Sequence, residues 1–499
     1  MANAVYVFEV DWDNDGDFGD TSEDCTADLI SVETRRGRDY ASQLTGRAST
    51  GRLAATLKNT AGTYSSYYSS SPIYGSILPG RMVRLRTTSP SAVILWTGYL
   101  EKILPAGSVD GIPVVTLEAS GAFVKIAGKK VYPAKQSAET TGTIIDVILD
   151  AASWNAGYRT LDTGQTEIDK WFVDDRDALN AIREIEETEL GFVYEGENGY
   201  IVFEDRHHRL KSPHTASVAT YSDVEAAAKG YRVIEQLDPL QDIYNDVTAE
   251  VNSYTVAGAP AVLWTLNETP TLAPGESKSY WAQYPNTAVD STDGAYVDSW
   301  ETPVVGTDIT QTGVDNGDID VSTSKFANSM KITITNNDAT GTATLTLVQA
   351  QGTKVTKNEP VRINAEDTTS QGKYGNRSYR LPAEWLGDSN TAQDYTNYVV
   401  SRYKDPVPVL RITYIANKNS TMLGEALARN ISDRITIVAT EAKTMLGIDR
   451  DFFIEAITHR ITRAGRVHEV SYDLSDASGD GSYWVLGLSE LSISTKLAY

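Results

Sequence analysis

Residues 35–66 read RRGRDYASQLTGRASTGRLAATLKNTAGTYSS, and the middle of this stretch carries a clear strand pattern. Leu53, Ala55 and Leu57 are apolar at every second position, which is the period of a half-buried strand. Gly62 follows in a turn that ends the strand. Similar short runs, bounded by turn residues, continue on both sides of this stretch. We therefore predict an all-β unit, a barrel or a sandwich, over residues 1–122.

The residues that follow change in character. Residues 143–152 and 177–189 carry apolar side chains at helical spacing. Residues 192–205 then read as a hairpin, with the strands FVYE and YIVFED on either side of a GENG turn. We predict an α+β accessory domain over residues 123–215.

An insert without helix signals occupies residues 262–356, which are rich in Thr, Asp, Gly and Asn. Two alternating runs within residues 329–349 flank an Asn-Asn-Asp turn, a pattern that predicts a hairpin. We therefore predict that this insert is a β-sandwich.

The segments on either side of the insert, residues 216–261 and 357–476, return to strand patterns with a few helices. We predict that they form a second β-rich domain, and that residues 477–499 form a short C-terminal arm. The predicted fold class is thus mainly β with α+β parts, divided over several domains.

Length, charge and cysteine content limit the functions of the chain. Its 499 residues exceed one ordinary core, which agrees with several domains. The net charge of −23 disfavours a nucleic-acid-binding protein, because phosphate contacts need clusters of Lys and Arg. Cys25 is the single cysteine, so an internal disulfide is excluded, and we expect it in the core. We see neither a signal peptide nor a membrane span, and expect synthesis in a cytoplasm.

An acidic loop, DWDNDGDFGD at residues 11–20, carries carboxylates at alternate positions with a glycine at the sixth. This pattern is typical of calcium loops, since Ca²⁺ takes about six to eight oxygen ligands around a tight turn. The candidate ligands are Asp11, Asp13, Asp15, Asp17 through its main-chain carbonyl, Asp20 and Ser22. Position twelve is Ser22 and not the usual Glu, so Asp20, Glu23 or Asp24 must supply the missing carboxylate. The alternative is a solvated acidic turn without metal.

Two further clusters favour structural interpretations. His207 and His208 lie beside Glu204 and Asp205, but adjacent strand residues point to opposite faces, so we expect an exposed loop. The arginines at positions 35, 36, 38, 47 and 52 form a basic cluster, for which we expect ion pairs with an acidic neighbouring subunit.

Several motifs of this chain resemble the family of siphophage minor tail and tail-hub proteins. The motifs are Arg36-Gly37-Arg38, Leu57-Lys58-Asn59, the strand Leu78–Leu85 (LPGRMVRL) and Trp96-Thr97-Gly98-Tyr99. Looser similarities follow in the same order along most of the chain, among them GYIVFEDR at 199–206 and YWVLG at 483–487.

The resemblance implies a structural protein of the virion, a baseplate hub at the tail tip, made in the cytoplasm of the host bacterium. In such a homotrimer, residues 1–122 and the second β-rich domain would be tube-like barrels that together give pseudo-sixfold symmetry. The hub would contact the tail tube or distal tail proteins on one side and receptor-binding or tip proteins on the other. DNA would pass through it without specific binding.

Two other functions stay open at this point. We find no catalytic signature and expect a protein that is not an enzyme, but some tail proteins hydrolyse cell walls or polysaccharides with paired carboxylates. Alternatively, the insert binds host glycans, for which exposed aromatic side chains such as Trp264, Tyr280 or Trp281 would be required.

Overall fold

The computed structural model describes residues 2–20, 22–38, 47–173, 175–224, 227–237, 242–284, 296–441 and 443–477, together with the backbone of 483–484 and 496–497. The first strands are β1 (Val5–Val10), β2 (Leu29–Arg38), β3 (Ala48–Lys58), β4 (Met82–Ser89), β5 (Val93–Ala106) and β6 (Val114–Ser120). The next elements are α1 (Phe123–Ile126), β7 (Lys130–Val131), β8 (Gln136–Thr140), α2 (Thr141–Ala151), β9 (Arg159–Leu161), β10 (Glu167–Trp171), β11 (Arg176–Asp177), α3 (Ala178–Glu189), β12 (Phe192–Glu195) and β13 (Ile201–Glu204).

The second half of the chain contains, in order, β14 (Thr220–Ser222), β15 (Val233–Leu237), β16 (Asp246–Val251), β17 (Tyr254–Val256), β18 (Ala261–Thr265), β19 (Thr271–Leu272), β20 (Ser277–Gln283), β21 (Tyr296–Trp300), β22 (Ile309–Thr312), β23 (Ile319–Lys325), β24 (Ser329–Asn336) and β25 (Ala343–Lys357). The last elements are β26 (Val361–Glu366), α4 (Thr368–Tyr374), β27 (Ser378–Leu381), α5 (Ser389–Tyr403), β28 (Val409–Ile415), α6 (Ser420–Ala428), β29 (Arg434–Ala439), β30 (Ile448–Thr462), β31 (Val467–Asp476), β32 (Tyr483–Trp484) and β33 (Lys496–Leu497). The fold is mainly β with α+β parts, as predicted.

One long sheet connects the two ends of the chain. Its strand order is β1-β4-β5-β6-β3-β2-β30-β31-β28-β15, and β29 joins β30 and β14 to it. The first six strands come from the N-terminal residues and the others from the second half of the chain. A single hydrophobic cluster runs along this sheet into the accessory domain and includes Phe8, Trp96, Ile182 and Tyr472.

The junction between the two halves of the long sheet, which we call the seam, is the antiparallel pair β2–β30. Its register runs from Val32 opposite Ile461 to Gly37 opposite Ala456. Gly37 has φ +104°, and a Cβ there would lie 2.2 Å from the carbonyl oxygen of Glu455. Because only glycine permits this approach, the seam depends on a residue without a side chain.

The insert is a sandwich with its own core. β20, β24 and β23 form one sheet, and the long β25 pairs with β17, β18, β19, β21 and β22 in another. Side chains of both sheets, among them Ile332, Ile334 and Leu345, share one hydrophobic cluster. The sandwich expected here is therefore present.

The prediction of a hairpin at residues 329–349 is wrong, because β24 and β25 lie in different sheets of the sandwich. Asn336 explains the difference. Its side chain is fully buried, and its Nδ2 donates to the carbonyl oxygens of Leu272 at 3.1 Å, Ala273 at 3.2 Å and Gly341 at 2.8 Å. These bonds hold the chain as it crosses from one sheet to the other, where a tight hairpin turn would leave a buried amide unsatisfied.

The two segments predicted as a second β-rich domain contribute to three sheets, since β17 belongs to the sheet of β25 in the insert. β28 to β31 extend the long sheet, whereas β16, β26 and β27 form a small sheet. The small sheet packs against α5 around a separate cluster that includes Val247, Tyr395 and Val399. Of the predicted C-terminal arm, only Ala477 and the short β32–β33 pair fall within the described residues.

The two ends of the long sheet differ. β15 has one strand neighbour, β28, within the part of the chain that the structure describes. β1 pairs with β4, and its other edge is partly covered by the segment that follows the acidic loop. There, the N–H of Val10 donates to the carbonyl oxygen of Glu23 at 3.0 Å, and the N–H of Cys25 donates to Phe8 at 2.9 Å.

Candidate metal centre

The acidic loop folds around the carboxylate of Asp11, the first residue after β1. Asp11 is only 2% exposed, and its oxygens accept the N–H groups of Asn14 at 2.5 Å and Gly16 at 3.1 Å. Asn14 and Gly16 both have positive φ angles, 68° and 95°. Short polar residues and glycine tolerate this conformation, so the sequence Asp-Trp-Asp-Asn-Asp-Gly suits a loop that closes on its first carboxylate.

Four carboxylates meet at this loop. One oxygen from each of Asp11, Asp13, Asp15 and Glu23 lies within 4.8 Å of the others. Two oxygens bound to the same Ca²⁺ can be at most about 5.2 Å apart, given Ca–O distances of about 2.3–2.6 Å. The four side chains are therefore spaced so that one such ion could contact them all.

Glu23 differs from the other members of this group in its surroundings. It is 1% exposed, and one of its oxygens accepts the N–H of Asp20 at 3.0 Å. The other oxygen, Oε1, is buried and has no hydrogen-bond partner among the described residues. Buried carboxylate oxygens are ordinarily hydrogen-bonded or bound to a cation, so this oxygen lacks the contact it would normally make.

The structure places the other predicted ligands differently. The carboxylate of Asp17 is exposed and accepts the N–H of Gly19 at 2.7 Å. Asp20 lies outside the group of four and contacts Glu23 through its main chain. Ser22 is exposed in a turn. Glu23, one residue beyond the usual twelfth position, is the carboxylate that joins the three aspartates.

The electrostatics of the loop disfavour its charged state. Burial raises the pKa of Asp11 and of Glu23, and the neighbouring aspartates raise both further. The charge of Asp13 raises the pKa of Asp20. No Lys or Arg forms an ion pair with the four carboxylates within the described ranges. Such a group of carboxylates can hold a hard cation.

The remaining candidates from the sequence are structural. Cys25 is buried, and burial raises its pKa to about 12, so the thiol is unreactive. His208, expected in an exposed loop, is instead half-buried, with Nδ1 2.7 Å from a carboxylate oxygen of Asp162. Burial lowers the pKa of His208, but Asp162 and Glu204 outweigh this and raise it overall.

Four of the five arginines in the basic cluster form ion pairs within the chain, where ion pairs with another subunit were expected. Arg35 contacts Asp473 at 3.0 Å, and Arg38 contacts Glu455 at 2.7 Å, both across the seam. Arg36 and Arg47 lie against Glu197 and Glu187 of the accessory domain, while Arg52 is exposed. The cluster lies on and beside β2, where the neighbouring strands and the accessory domain supply acidic partners.

Sequence reasoning missed Glu455, the centre of a buried ionic network. Its carboxylate is fully buried and contacts Arg38 and, at 2.6 Å, Arg209. Burial raises the pKa of Glu455, but the two arginines hold it well below its usual range. The sequence did contain a signal for this network, since Glu455 stands inside the apolar run FFIEAI of β30. A charged residue in such a run is expected to be buried and therefore to need charged partners.

A buried carboxyl at the domain boundary, Glu195 of β12, was also missed. It accepts the backbone N–H groups of Gly51 and, at 2.6 Å, Phe123. Burial raises its pKa to about 7. A Cβ on Gly121 would lie 2.2 Å from this carboxyl, so a glycine makes room for it.

Comparisons with known proteins identify the fold. No family model matches the sequence, and no curated protein matches it either. Among solved structures, the 43 kDa tail protein of prophage MuSo2 from Shewanella oneidensis aligns with a TM-score of 0.51 and 9% identity, covering 96% of this chain and 99% of that one. A tail protein from Neisseria meningitidis MC58 aligns with a TM-score of 0.50 and 9% identity, covering 95% and 97%.

These alignments extend over nearly the full length of both partners, so they concern the arrangement of the whole chain. At 9% identity the likeness is one of fold. In its fold the chain is similar to these two tail proteins, and the resemblance in its sequence points to proteins of the same kind.

Proposed function

We propose that this protein is a structural subunit of the tail of a phage or phage-like particle. In this proposal it forms the hub ring at the tail tip, closes the tail tube and connects it to host-recognition proteins. The observation that carries the proposal is the long sheet, in which two sheet halves of one chain are already joined edge to edge at the seam. A ring is a continuation of the same edge-to-edge pairing between copies.

The position of β15 at the end of the long sheet supports pairing between copies. Val233 and Leu237 on this strand are 43% and 38% exposed, and β28 is its only strand neighbour within the described residues. An exposed edge with aliphatic side chains is a template for another strand. Three copies, each with two sheet halves, would give the pseudo-sixfold ring that the sequence resemblance implies.

Charge supports passage of DNA through such a ring. The net charge of −23 repels the phosphate backbone, so a duplex would slide without being held. We further propose tail-tube or distal tail proteins as partners on one side and receptor-binding or tip proteins on the other. No helix among the described residues is both long and apolar enough to cross a membrane.

The test is the shape and mass of the purified full-length protein. We expect light scattering to give the mass of a trimer and electron microscopy to show a ring with an opening of DNA width. A protein that is monomeric both in solution and within its native particle would contradict the proposal.

A variant pair locates the contact between copies. The double substitution Val233→Lys/Leu237→Lys places charges on the β15 edge, and we expect it to reduce the trimer to monomers with unchanged circular dichroism. Val109→Lys, at a fully exposed loop position, is the matched control and should leave the mass unchanged. A trimer that survives the double substitution would exclude β15 as the contact.

Glycan binding by the insert is a second candidate, favoured by Trp281. Trp281 is 56% exposed, and its ring stacks on that of Phe326 with 5.8 Å between the ring centres. On the same sheet, the hydroxyls of Ser279 and Thr333 are 2.9 Å apart. Aromatic faces beside hydroxyl groups suit sugar rings, whereas Trp264 and Tyr280 pack against the core of the insert. We expect a glycan array to detect binding that Trp281→Ala abolishes; an array without binding would reject this candidate.

A further inference from the structure

We propose that Asp11, Asp13, Asp15 and Glu23 form a Ca²⁺ site, and that the bound ion fixes the acidic loop as a cap on the edge of β1. This inference does not depend on the proposed tail function, because both the site and the edge lie within one chain. It replaces the twelfth-position ligand of the usual calcium loop by Glu23.

Two independent observations support the site. The first is the spacing, since one oxygen of each carboxylate lies within 4.8 Å of the others. The second is the buried Oε1 of Glu23, which has no hydrogen-bond partner in the described part of the chain although Glu23 is 1% exposed. A cation held by the three aspartates would supply the missing contact.

The chemistry of the ligands favours Ca²⁺ over the other common divalent ions. All four groups are carboxylates, which are hard oxygen ligands, and His or Cys ligands of the kind that zinc prefers are absent from the group. Asp13 and Asp15 are exposed, so water can complete the coordination shell. Mg²⁺ demands a near-ideal octahedron and keeps several of its waters, which fits a site of four converging carboxylates less well.

Glu23 connects the site to the sheet. Its side chain faces the aspartates, while its carbonyl oxygen accepts the N–H of Val10 at 3.0 Å. The next residues continue the cover, since the N–H of Cys25 donates to Phe8 and the N–H of Phe8 donates to the hydroxyl of Thr26, both at 2.9 Å. An ion that holds Glu23 therefore also holds the segment that satisfies the outer edge of β1.

The other side of the loop is anchored by an aromatic contact. The guanidinium of Arg84 lies 4.2 Å from the centre of the Phe18 ring, and its Nε donates to Glu9 of β1 at 2.8 Å. Phe18 thus attaches the middle of the loop to β4. A bound ion would relieve the repulsion among the carboxylates of the loop.

Terbium luminescence on the full-length protein tests the site. Tb³⁺ replaces Ca²⁺ at oxygen sites, and Trp12, which lies in the chain between Asp11 and Asp13, can transfer its excitation energy to it. We expect Tb³⁺ emission on excitation of tryptophan, its displacement by Ca²⁺, and only weak displacement by Mg²⁺. No emission, together with an unchanged melting temperature when Ca²⁺ is added to chelator-treated protein, would overturn the site; equal competition by Mg²⁺ would overturn the assignment to Ca²⁺.

Glu23→Gln tests the ligand set, because it removes one charge without changing shape. We expect at least about tenfold weaker binding of Ca²⁺. Asp24→Asn is the control, since Asp24 is an exposed neighbour outside the group of four, and it should bind as the wild type does. Equal affinity of the Glu23 variant and the wild type would refute the assignment. If that variant does not fold, Asp13→Asn at an exposed position makes the same test.

Hydrogen exchange tests the cap. We expect Ca²⁺ to slow amide exchange in residues 5–10 at least about tenfold, while residues of the distant insert exchange at unchanged rates. Binding of Tb³⁺ without any change in exchange at β1 would leave a metal site but overturn its role as a cap.

Discussion

Carboxylates cluster at two places in this molecule, and the two places satisfy them in opposite ways. At the seam, Glu455 is fully buried but contacts the guanidinium groups of Arg38 and Arg209. In the acidic loop, four carboxylates converge with no Lys or Arg paired to them within the described residues. The pKa of Glu455 is lowered, whereas those of Asp11 and Glu23 are raised. At the seam, arginines of the chain balance the charge of the buried carboxylate. In the loop, a cation from solution would have to balance the charge of the four carboxylates.

Glu195 is intermediate between these two cases. Glu195 is buried like Glu455, with 4% of its surface exposed against 0%, but its hydrogen-bond donors are the backbone N–H groups of Gly51 and Phe123. Neutral donors stabilise a buried charge less than a guanidinium does, and its pKa is accordingly raised to about 7. The comparison teaches that the partner, more than the depth of burial, decides the charge state of an acid in this fold.

Removal of the charge of Glu455 should have the largest effect. Glu455→Gln leaves Arg38 and Arg209 without their shared partner, and breaking a buried ion pair in this way costs about 3–5 kcal/mol. We expect the free energy of unfolding in urea at pH 7 to fall by that amount. Because the pKa of Glu455 is lowered in the folded state, this stabilisation is present above its ordinary value of 4.5 and is lost as the pH falls below it. A loss below about 1 kcal/mol at pH 7 would mean that the network is dispensable.

The charge state of Glu195 should make the free energy of unfolding depend on pH. Its pKa rises from an ordinary 4.5 to about 7 on folding, so the folded protein holds a proton that the unfolded chain releases. Stability from this group is present below pH 4.5 and is lost as the pH rises through 7. Relative to Glu195→Gln, the wild type should lose on the order of 3 kcal/mol over this range. The measurement is urea unfolding of both proteins at several pH values; parallel curves would contradict the assignment.

The space that Gly121 leaves for Glu195 should be moderately important. In Gly121→Ala the new Cβ would lie 2.2 Å from the carboxyl group, so the side chain or the backbone must shift. Overpacking of this kind costs about 1–3 kcal/mol, which a lower melting temperature would report. Gly107→Ala is the control, because a Cβ there meets no atom within 4 Å. Equal melting temperatures for the two variants would show that the glycine is not required.

The smallest effect is expected for an exposed pair on the same seam as Glu455. Glu33 on β2 and Arg460 on β30 lie opposite each other, with 3.5 Å between charged atoms and side chains that are 57% and 60% exposed. Exposed pairs contribute about 0–1 kcal/mol, so Glu33→Gln should change the free energy of unfolding by no more than that. A loss as large as that of Glu455→Gln would show that position on the seam matters more than burial.

Local features of the fold could be predicted from the sequence, whereas long-range pairing could not. The alternation of apolar and polar residues predicted β3 and the β30–β31 hairpin, because such a pattern depends only on residues close together in the sequence. The seam was not foreseen, since nothing in the alternation of β2 indicates that its partner lies more than 400 residues away. The prediction of a β24–β25 hairpin was wrong for a related reason. The turn residues suited a hairpin, but the buried side chain of Asn336 donates to Leu272 of β19 and to Ala273 and Gly341 outside the strands.

At the candidate metal site, too, the local part could be predicted from the sequence and the long-range part could not. The spacing of Asp11, Asp13 and Asp15 indicated that they share one loop, and the structure brings them together. The identity of the fourth carboxylate depended on how the chain returns along β1, which places Glu23 and not Ser22 toward the loop. The calcium assignment itself stays a prediction until the ion is measured.

The seam has a consequence for the kinetics of assembly. The pairing of β2 with β30 forms as the chain folds, so its rate is independent of protein concentration. In the ring that we propose, every second contact between sheet halves would be a seam within one chain, which exists before two molecules meet. Only the remaining contacts, between different chains, would require collisions. Dilution soon after synthesis would then slow closure far less than in a ring of the same size whose sheet halves were separate chains.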